Sequence, residues 1–557
     1  MAAVAVGLLV IAGRLIQLQG LDGGTYAKMA EKQRMRTVTL TAPRGTITDR
    51  DGYPLAITVD ARDIYADPRE VVDPEAAAAK LAPILGMSQD DLVRKLSTKN
   101  TPFVYLQRGA SPRVGTKVMD LGLAGLGTLP TTKRSYPDGA LAANVLGFVG
   151  TDGTGLGGLE YTFDKSLSGT NGKRTFETGR DGEPIPDGQH VDQPPVPGES
   201  LRLTLDRDIQ WQAQQAIAAQ VQKTGAMSGT VIVMQPKTGR VLALATAPTF
   251  DPNHPGDSPP EALGNPAVSD PYEPGSVNKV ITMAAAIERG LVTPTTPFVV
   301  PNTYTVANHV FHDAENHGTE HLTTAGILAQ SSNIGTIQVA QRLGETGLYD
   351  ALRNFGFGAR TGIGLPGESA GILPPVNKWW STTLPTVAFG QGISVTALQV
   401  ASVYSTIADG GIRMEPTIID GTTDPSGHFT ARPLPKPVRV VSPQTAQEIR
   451  DMLEAVTSDQ GTAPAARIAG YRVAGKTGTA NRADGHGGYS GYTATFVGFA
   501  PADDPQLVVE VVLQKPVKGH FGGEVAAPVF HDVMAFALQS LRIPPTGTTP
   551  PTAKLTW

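Results

Sequence analysis

Glu273-Pro274-Gly275-Ser276-Val277-Asn278-Lys279, followed by the apolar run Val280-Ile281-Thr282-Met283-Ala284-Ala285-Ala286-Ile287, is the stretch from which the rest of the chain can be read. Pro274 and Gly275 stop whatever precedes them, Ser276 suits a helix start, and the Ala-rich run predicts a helix packed on all sides. Residues three apart share a helix face, which brings the Ser276 hydroxyl and the Lys279 amine within reach of each other. A serine hydroxyl is a weak nucleophile until a base takes its proton. A lysine can be that base where burial lowers its pKa. The helix start adds partial positive charge where an oxyanion would form. Ser-x-x-Lys alone is weak, because two fixed residues recur about once by chance in a chain of this size; here Ser276 opens the one occurrence.

Outward from that stretch, composition sets bounds. A chain of 557 residues is too long for one compact domain. A net charge of −5 and a pI near 6.1 leave no basic field, which argues against nucleic acid as a partner. With no cysteine, disulfides, thiol catalysis and Cys-ligated metal are excluded.

Ala2 to Gln19 is an apolar run interrupted only by Arg14, just long enough to cross a bilayer. No charged region precedes it and the residues after its core are large, so it reads as an uncleaved transmembrane anchor over residues 1–19, with Arg14 snorkelling to one interface. A basic segment with Lys28, Lys32, Arg34 and Arg36 follows, then a strand-like Thr37–Leu40. Asp51-Gly52 marks a hairpin turn. Ala76–Leu85 and Ser88–Leu96 read as short helices, and the Gly/Pro-crowded stretch 150–198 as irregular. Residues 20–199 are therefore expected to form a lightly packed, β-rich and loop-rich pedestal.

The character changes near Ser200. Strand patterns at Leu201–Leu205, Gly229–Met234 and Arg240–Thr246 and a helix at Asp206–Val221 precede the Ser276 helix; strands at Tyr471–Ala474, Thr493–Phe499 and Leu507–Leu513 and a helix at Ala527–Leu541 close the chain. Early and late strands around a helical middle imply an α+β domain over 200–543, an antiparallel sheet with helices on both faces and a helical subdomain. The Pro/Thr-rich tail 544–557 is expected to be disordered.

Downstream of Ser276 lie Ser331-Ser332-Asn333 and Lys476-Thr477-Gly478-Thr479. In order, these are Ser-x-x-Lys, Ser-x-Asn and Lys-Thr-Gly, and together they resemble the penicillin-recognising serine acyltransferases. Lys-Thr-Gly also occurs at Lys223 and Lys237, so the tripeptide is not diagnostic; only Lys476 follows Ser-x-Asn and begins a strand pattern. The resemblance implies Ser276 as nucleophile, Lys279 as base, and Ser331 and Asn333 holding Lys279 and the substrate amide. It also implies that Lys476 and Thr477 face the substrate carboxylate, that the backbone N–H groups of Ser276 and Thr479 form the oxyanion hole, and that small Gly478 admits an extended peptide along the edge strand.

Arg44-Gly-x-Ile-x-Asp-Arg-x-Gly-x-x-Leu-Ala, Arg134-Ser-Tyr-Pro137, Gly158-Leu-Glu160 and Phe389-Gly-Gln-Gly-Ile-Ser394 are similar to phrases of the class B, monofunctional penicillin-binding proteins. That family implies a single-pass membrane protein with an extracytoplasmic D,D-transpeptidase domain and no cofactor. Its partners would be stem peptides (a D-Ala-D-Ala donor and an acceptor amine), β-lactam antibiotics, a separate membrane glycan polymerase and other divisome proteins. The stretch Asp152–Glu160 is closer to the septal than to the elongation branch. A β-lactamase and a non-catalytic β-lactam-binding scaffold are the rivals; the large pedestal argues against the first and the intact motif set against the second. The cluster His309, His312, Asp313, Glu315, His317, Glu320, His321 has no metal-site spacing and reads as a polar loop.

Overall fold

The computed structural model describes residues 1–18, 24, 29, 34–98, 100–179, 185, 188, 190–484 and 488–557. Lys28, Lys32 and the end of the apolar run at Gln19 lie outside the described residues. The chain divides into two compact units: Met1–Gly45 with Thr58–Lys133 and Lys165–Glu199, and Thr46–Ile57 with Arg134–Asp164 and Ser200–Trp557.

In the first unit, an exposed helix runs from Ala2 to Ile16. At about 1.5 Å per residue it is shorter than a bilayer core, and among the described residues no helix is long and apolar enough to cross a membrane. Met35–Leu40, Gly172–Glu177 and His190–Gln193 make a three-stranded antiparallel sheet. The packing expected to be light is not so throughout. Helices Pro74–Leu85 and Gln89–Leu96 present Leu81, Leu85, Leu92 and Leu96 to Leu106 and Val118 in one apolar cluster. Side-chain caps from Asp73 and Ser88 start both helices.

The second unit is built on a five-stranded antiparallel sheet in the order Val241–Ala247, Ser228–Met234, Leu507–Gln514, Tyr489–Ala500, Ala474–Ala483. The inner strands Ser228–Met234 and Leu507–Gln514 are buried almost throughout and Tyr489–Ala500 is buried from Thr493 on, as strands covered on both faces are. Successive side chains point to opposite faces. Phe496 meets Phe530 of the helix Ala527–Ser540, whereas Glu510 turns toward Tyr272 on the other face, where the helix Ala397–Ala408 packs. The helix Arg207–Thr224 lies beside Ala527–Ser540. Helices therefore cover both faces, as the α+β reading expects, and Ala474–Ala483 is left as an edge strand. It starts at Ala474, later than expected, because Ile468 to Tyr471 is taken up in a turn.

Ile47–Thr48 pairs with Pro54–Ala56 through a turn in which Asp49 Oδ1 accepts from the N–H groups of Asp51 and Tyr53 and Gly52 takes a positive φ. Asp51-Gly52 does close a hairpin. Ile47–Thr48 also pairs in parallel with Ser200–Leu203 inside this unit.

The tail corrects its expected disorder at its end. Thr556 bridges Leu322, and the Thr323 N–H donates to Leu555 O at 2.9 Å. Pro and Thr make poor core, but one aromatic and an open strand edge suffice to hold the last residues.

Candidate active site

The Ser276 stretch begins as a 3-10 turn, Gly275–Asn278, and becomes an α-helix only at Lys279–Glu288. Gly275 sits at φ +58, a conformation glycine adopts without strain. Three neighbours hold the turn. Gly275 N–H donates to Gly390 O at 2.9 Å, Asn278 Nδ2 donates to Val387 O at 2.8 Å, and the buried Tyr404 hydroxyl donates to Val277 O at 3.0 Å. Glu273 Oε1 accepts from Gly392 N–H at 3.0 Å, so the segment Val387–Gly392 backs the turn along its length.

Lys279 is fully buried. Its Nζ donates to Asn333 Oδ1 at 2.8 Å, to Ser331 Oγ at 3.3 Å and, in a short contact, to Ser331 O. Ser331 can offer both oxygens because it ends the helix Thr324–Gln330 in a left-handed conformation, φ +63. From the edge strand, Lys476 Nζ reaches the same Ser331 Oγ at 2.8 Å, and Thr477 O and Oγ1 at 3.2 and 3.3 Å. Among the described residues the Ser276 hydroxyl takes no hydrogen bond; it lines the cleft. Ser276, Ser331, Asn333, Thr477 and Thr479 share one cleft of about 940 Å³, beneath which the two lysines are sealed.

Burial lowers the pKa of both amines. Lys279 is brought down to about 7 by desolvation, against which the Asp313 carboxylate pulls upward. Lys476 is driven well below the ordinary lysine range, first by desolvation and then by Lys279.

Gly478 packs where its residue type matters, though not toward the cleft. A Cβ there would stand 3.1 Å from Pro274 O and Val277 Cγ1, so its smallness seats the edge strand against the nucleophile turn. Thr479 Oγ1 accepts from Gly522 N–H at 3.2 Å, and Thr462 and Thr477 hydroxyls meet at 2.8 Å. The decoys stand apart: Lys223 is exposed near the end of the Arg207–Thr224 helix, and Lys237 pairs with Asp504 on the surface.

Asp313 was not legible as a site residue. Its Oδ2 accepts from Ser332 Oγ at 2.7 Å and contacts His317 Nε2 at 3.1 Å; its Oδ1 accepts from Ile334 N–H at 3.0 Å and from Asn333 N–H. A carboxylate at a helix N-terminus satisfies free N–H donors and suits the local field; here it fixes the helix Asn333–Leu343 on which Asn333 stands. Desolvation lowers His317, but Gly318 O, Glu320 and Asp313 outweigh it and raise it. The stretch expected as a polar loop is partly a strand, His309–His312, paired with Thr303–Val306.

The penicillin binding protein transpeptidase domain model matches residues 229–535, and the penicillin-binding protein dimerisation domain model matches 39–203. The chain is 39% identical to penicillin-binding protein PbpB of Mycobacterium tuberculosis over 98% of this chain and 84% of that protein. The chain belongs to the class B penicillin-binding proteins. This penicillin-binding protein is also 33% identical to the peptidoglycan D,D-transpeptidase FtsI of Escherichia coli, over 98% of this chain and 92% of that one. Among solved structures it is similar to penicillin binding protein 3 of M. tuberculosis complexed with aztreonam, at TM-score 0.73 and 36% identity, covering 93% of this chain and all of that one.

Proposed function

We propose that this penicillin-binding protein is a peptidoglycan D,D-transpeptidase of septal wall synthesis, working through an acyl-enzyme on Ser276 and inhibited covalently by β-lactams. The observation that carries the reading is the convergence of Lys279 and Lys476 on the Ser331 hydroxyl, with Asn333 Oδ1 holding Lys279, beneath the cleft that Ser276 lines. Ser276 Oγ attacks the carbonyl carbon between the two D-Ala residues and its proton passes to neutral Lys279. The oxyanion is met by backbone N–H groups of Ser276 and Thr479. Ser331 relays the proton to the departing amine, D-Ala leaves, and an acceptor amine attacks the ester to form the cross-link and restore Ser276. Lys476 and Thr477 receive the terminal carboxylate of the donor, and the edge strand offers its backbone to the extended peptide.

The finer architecture belongs to the same proposal: an anchor over residues 1–19, a pedestal over 20–199 that docks a separate glycan polymerase and other division proteins, and a transpeptidase domain over 200–543 outside the cytoplasm. The apolar helix Ala2–Ile16 and the match of the dimerisation-domain model support it. Ser276→Ala tests the catalytic reading: covalent labelling by a fluorescent penicillin is lost while the thermal transition is kept. Undiminished labelling of that variant would overturn it.

A further inference from the structure

The helix that delivers Ser331 is clamped at its other end by the last residues of the chain. Its N-cap is Thr323, whose Oγ1 accepts from Gly326 N–H at 3.1 Å and donates to Lys554 O, while the Thr323 N–H donates to Leu555 O at 2.9 Å. Thr556 forms a bridge with Leu322, so residues 554–557 add to the open edge of the strand Glu320–Thr323, which pairs on its other side with Pro297–Val300. Trp557 ends the contact. Its Nε1 donates to Phe298 O at 3.1 Å, its N–H donates to His321 O at 3.2 Å, and its ring stands edge-on to His321 at 4.9 Å. Phe298 in turn carries the Arg342 guanidinium on its ring at 4.4 Å, and Arg342 lies on the Asn333–Leu343 helix. The tail thus meets supports of both halves of Ser-x-Asn.

Gly326 makes the fit specific. Any Cβ at that position would be driven into the Leu555 carbonyl, and its three nearest atoms would all belong to Leu555. A helix interior ordinarily favours Ala over Gly. At this position the tail is what excludes it.

We propose that residues 554–557 are an intramolecular clip that positions Ser331 for acylation, with Trp557 and the Leu555 backbone as positioning groups acting through Thr323 and the Thr324–Gln330 helix. The inference rests on the reading of Ser331 as part of the acylation centre. A helix of two turns transmits a shift at its N-cap to its last residue with little loss. Ser331 offers both its oxygens to Lys279 and its hydroxyl to Lys476, so a small displacement is felt by both lysines at once.

The test compares the acylation rate of the full chain by a fluorescent penicillin with that of three variants: a chain ending at Pro550, Trp557→Ala and Gly326→Ala. Each is expected to slow the acylation step by about tenfold with little change in the initial binding constant, since misplacement of a reacting group by an ångström can cost as much as about a hundredfold. A synthetic peptide of residues 551–557, supplied at about millimolar concentration to match a short tether, restores the shortened chain. Gly326→Ala has no further effect in that chain without the peptide, because the carbonyl it would strike is gone. A merely stabilising tail would lower the thermal transition and leave these two responses absent.

A native acylation rate in the shortened chain overturns the clip and leaves the Ser276 reading standing. So does a slowed chain that ignores the peptide and is slowed again by Gly326→Ala. No labelling of the full chain removes both.

Discussion

Lys279 and Lys476 share a single hydroxyl: Ser331 Oγ accepts from Lys476 Nζ at 2.8 Å and from Lys279 Nζ at 3.3 Å, with both lysines fully buried. Two buried ammonium groups that share one acceptor repel each other, and burial disfavours the charged form of both. Asp313 is the carboxylate that pulls Lys279 upward, so charge is retained more readily on Lys279 than on Lys476. In the proposed mechanism Lys279 is the base and Lys476 receives the anion, and the shared Ser331 hydroxyl links the two.

The first expectation is a pH dependence. In the proposed mechanism Lys279 serves as base only when neutral, and its pKa of about 7 places the rising limb of acylation around neutrality. Below that the lysine is protonated and the rate falls by about tenfold per pH unit; above it the rate levels off. Asp313→Asn removes the carboxylate that raises Lys279, so the limb moves to lower pH. Acylation rates measured from pH 5 to 9 in both proteins check this, and a limb that stays put or moves upward counts against the role of Asp313.

Removing the Asp313 side chain has a structural cost. Asp313 accepts from Ser332, Asn333 and Ile334 at the start of one helix. Asp313→Ala leaves these donors without a partner and is expected to destabilise the domain by about 2–4 kcal/mol, from the usual worth of hydrogen bonds to a charged group. Thermal or urea unfolding measures it.

Lys476→Ala is expected to slow acylation by carboxylate-bearing β-lactams by about 1.5–3 kcal/mol in transition-state terms, the range for a charge-assisted hydrogen bond. Lys237→Ala removes only a surface pair with Asp504, worth about 0–1 kcal/mol to folding, and leaves acylation unchanged. Equal losses would show that the wrong Lys-Thr-Gly had been assigned to the cleft.

Binding of an anionic ligand is expected to take up a proton. Desolvation, and then Lys279, push Lys476 toward its neutral form, and an incoming carboxylate favours its charged form. Calorimetry of a penicillin binding to Ser276→Ala, repeated in buffers of different ionisation enthalpy at pH 8, reads the uptake directly. Zero uptake contradicts it.

Much of this was legible in the sequence, because its signals are local. Short strand patterns located the inner strands, Asp51-Gly52 the hairpin, and order along the chain separated Lys476 from its two decoys. What escaped was carried by contacts between residues distant in sequence. Asp313 sits in a stretch with no helical or strand period, and nothing nearby in the chain reveals that it caps the helix of Asn333. Tyr404 looks like any core aromatic, yet its hydroxyl reaches the backbone of Val277. The role of Gly478 was assigned to the substrate side because a sequence does not say which face of an edge strand is filled by its own neighbour. The 3-10 opening of the nucleophile helix follows from backing by Val387–Gly392, which no local propensity encodes.

The most direct measurement is intact mass of the full chain after exposure to a penicillin, with the modified peptide mapped. The account predicts one penicilloyl group, esterified to Ser276. No adduct, or an adduct on Ser331 or any other residue, would contradict it.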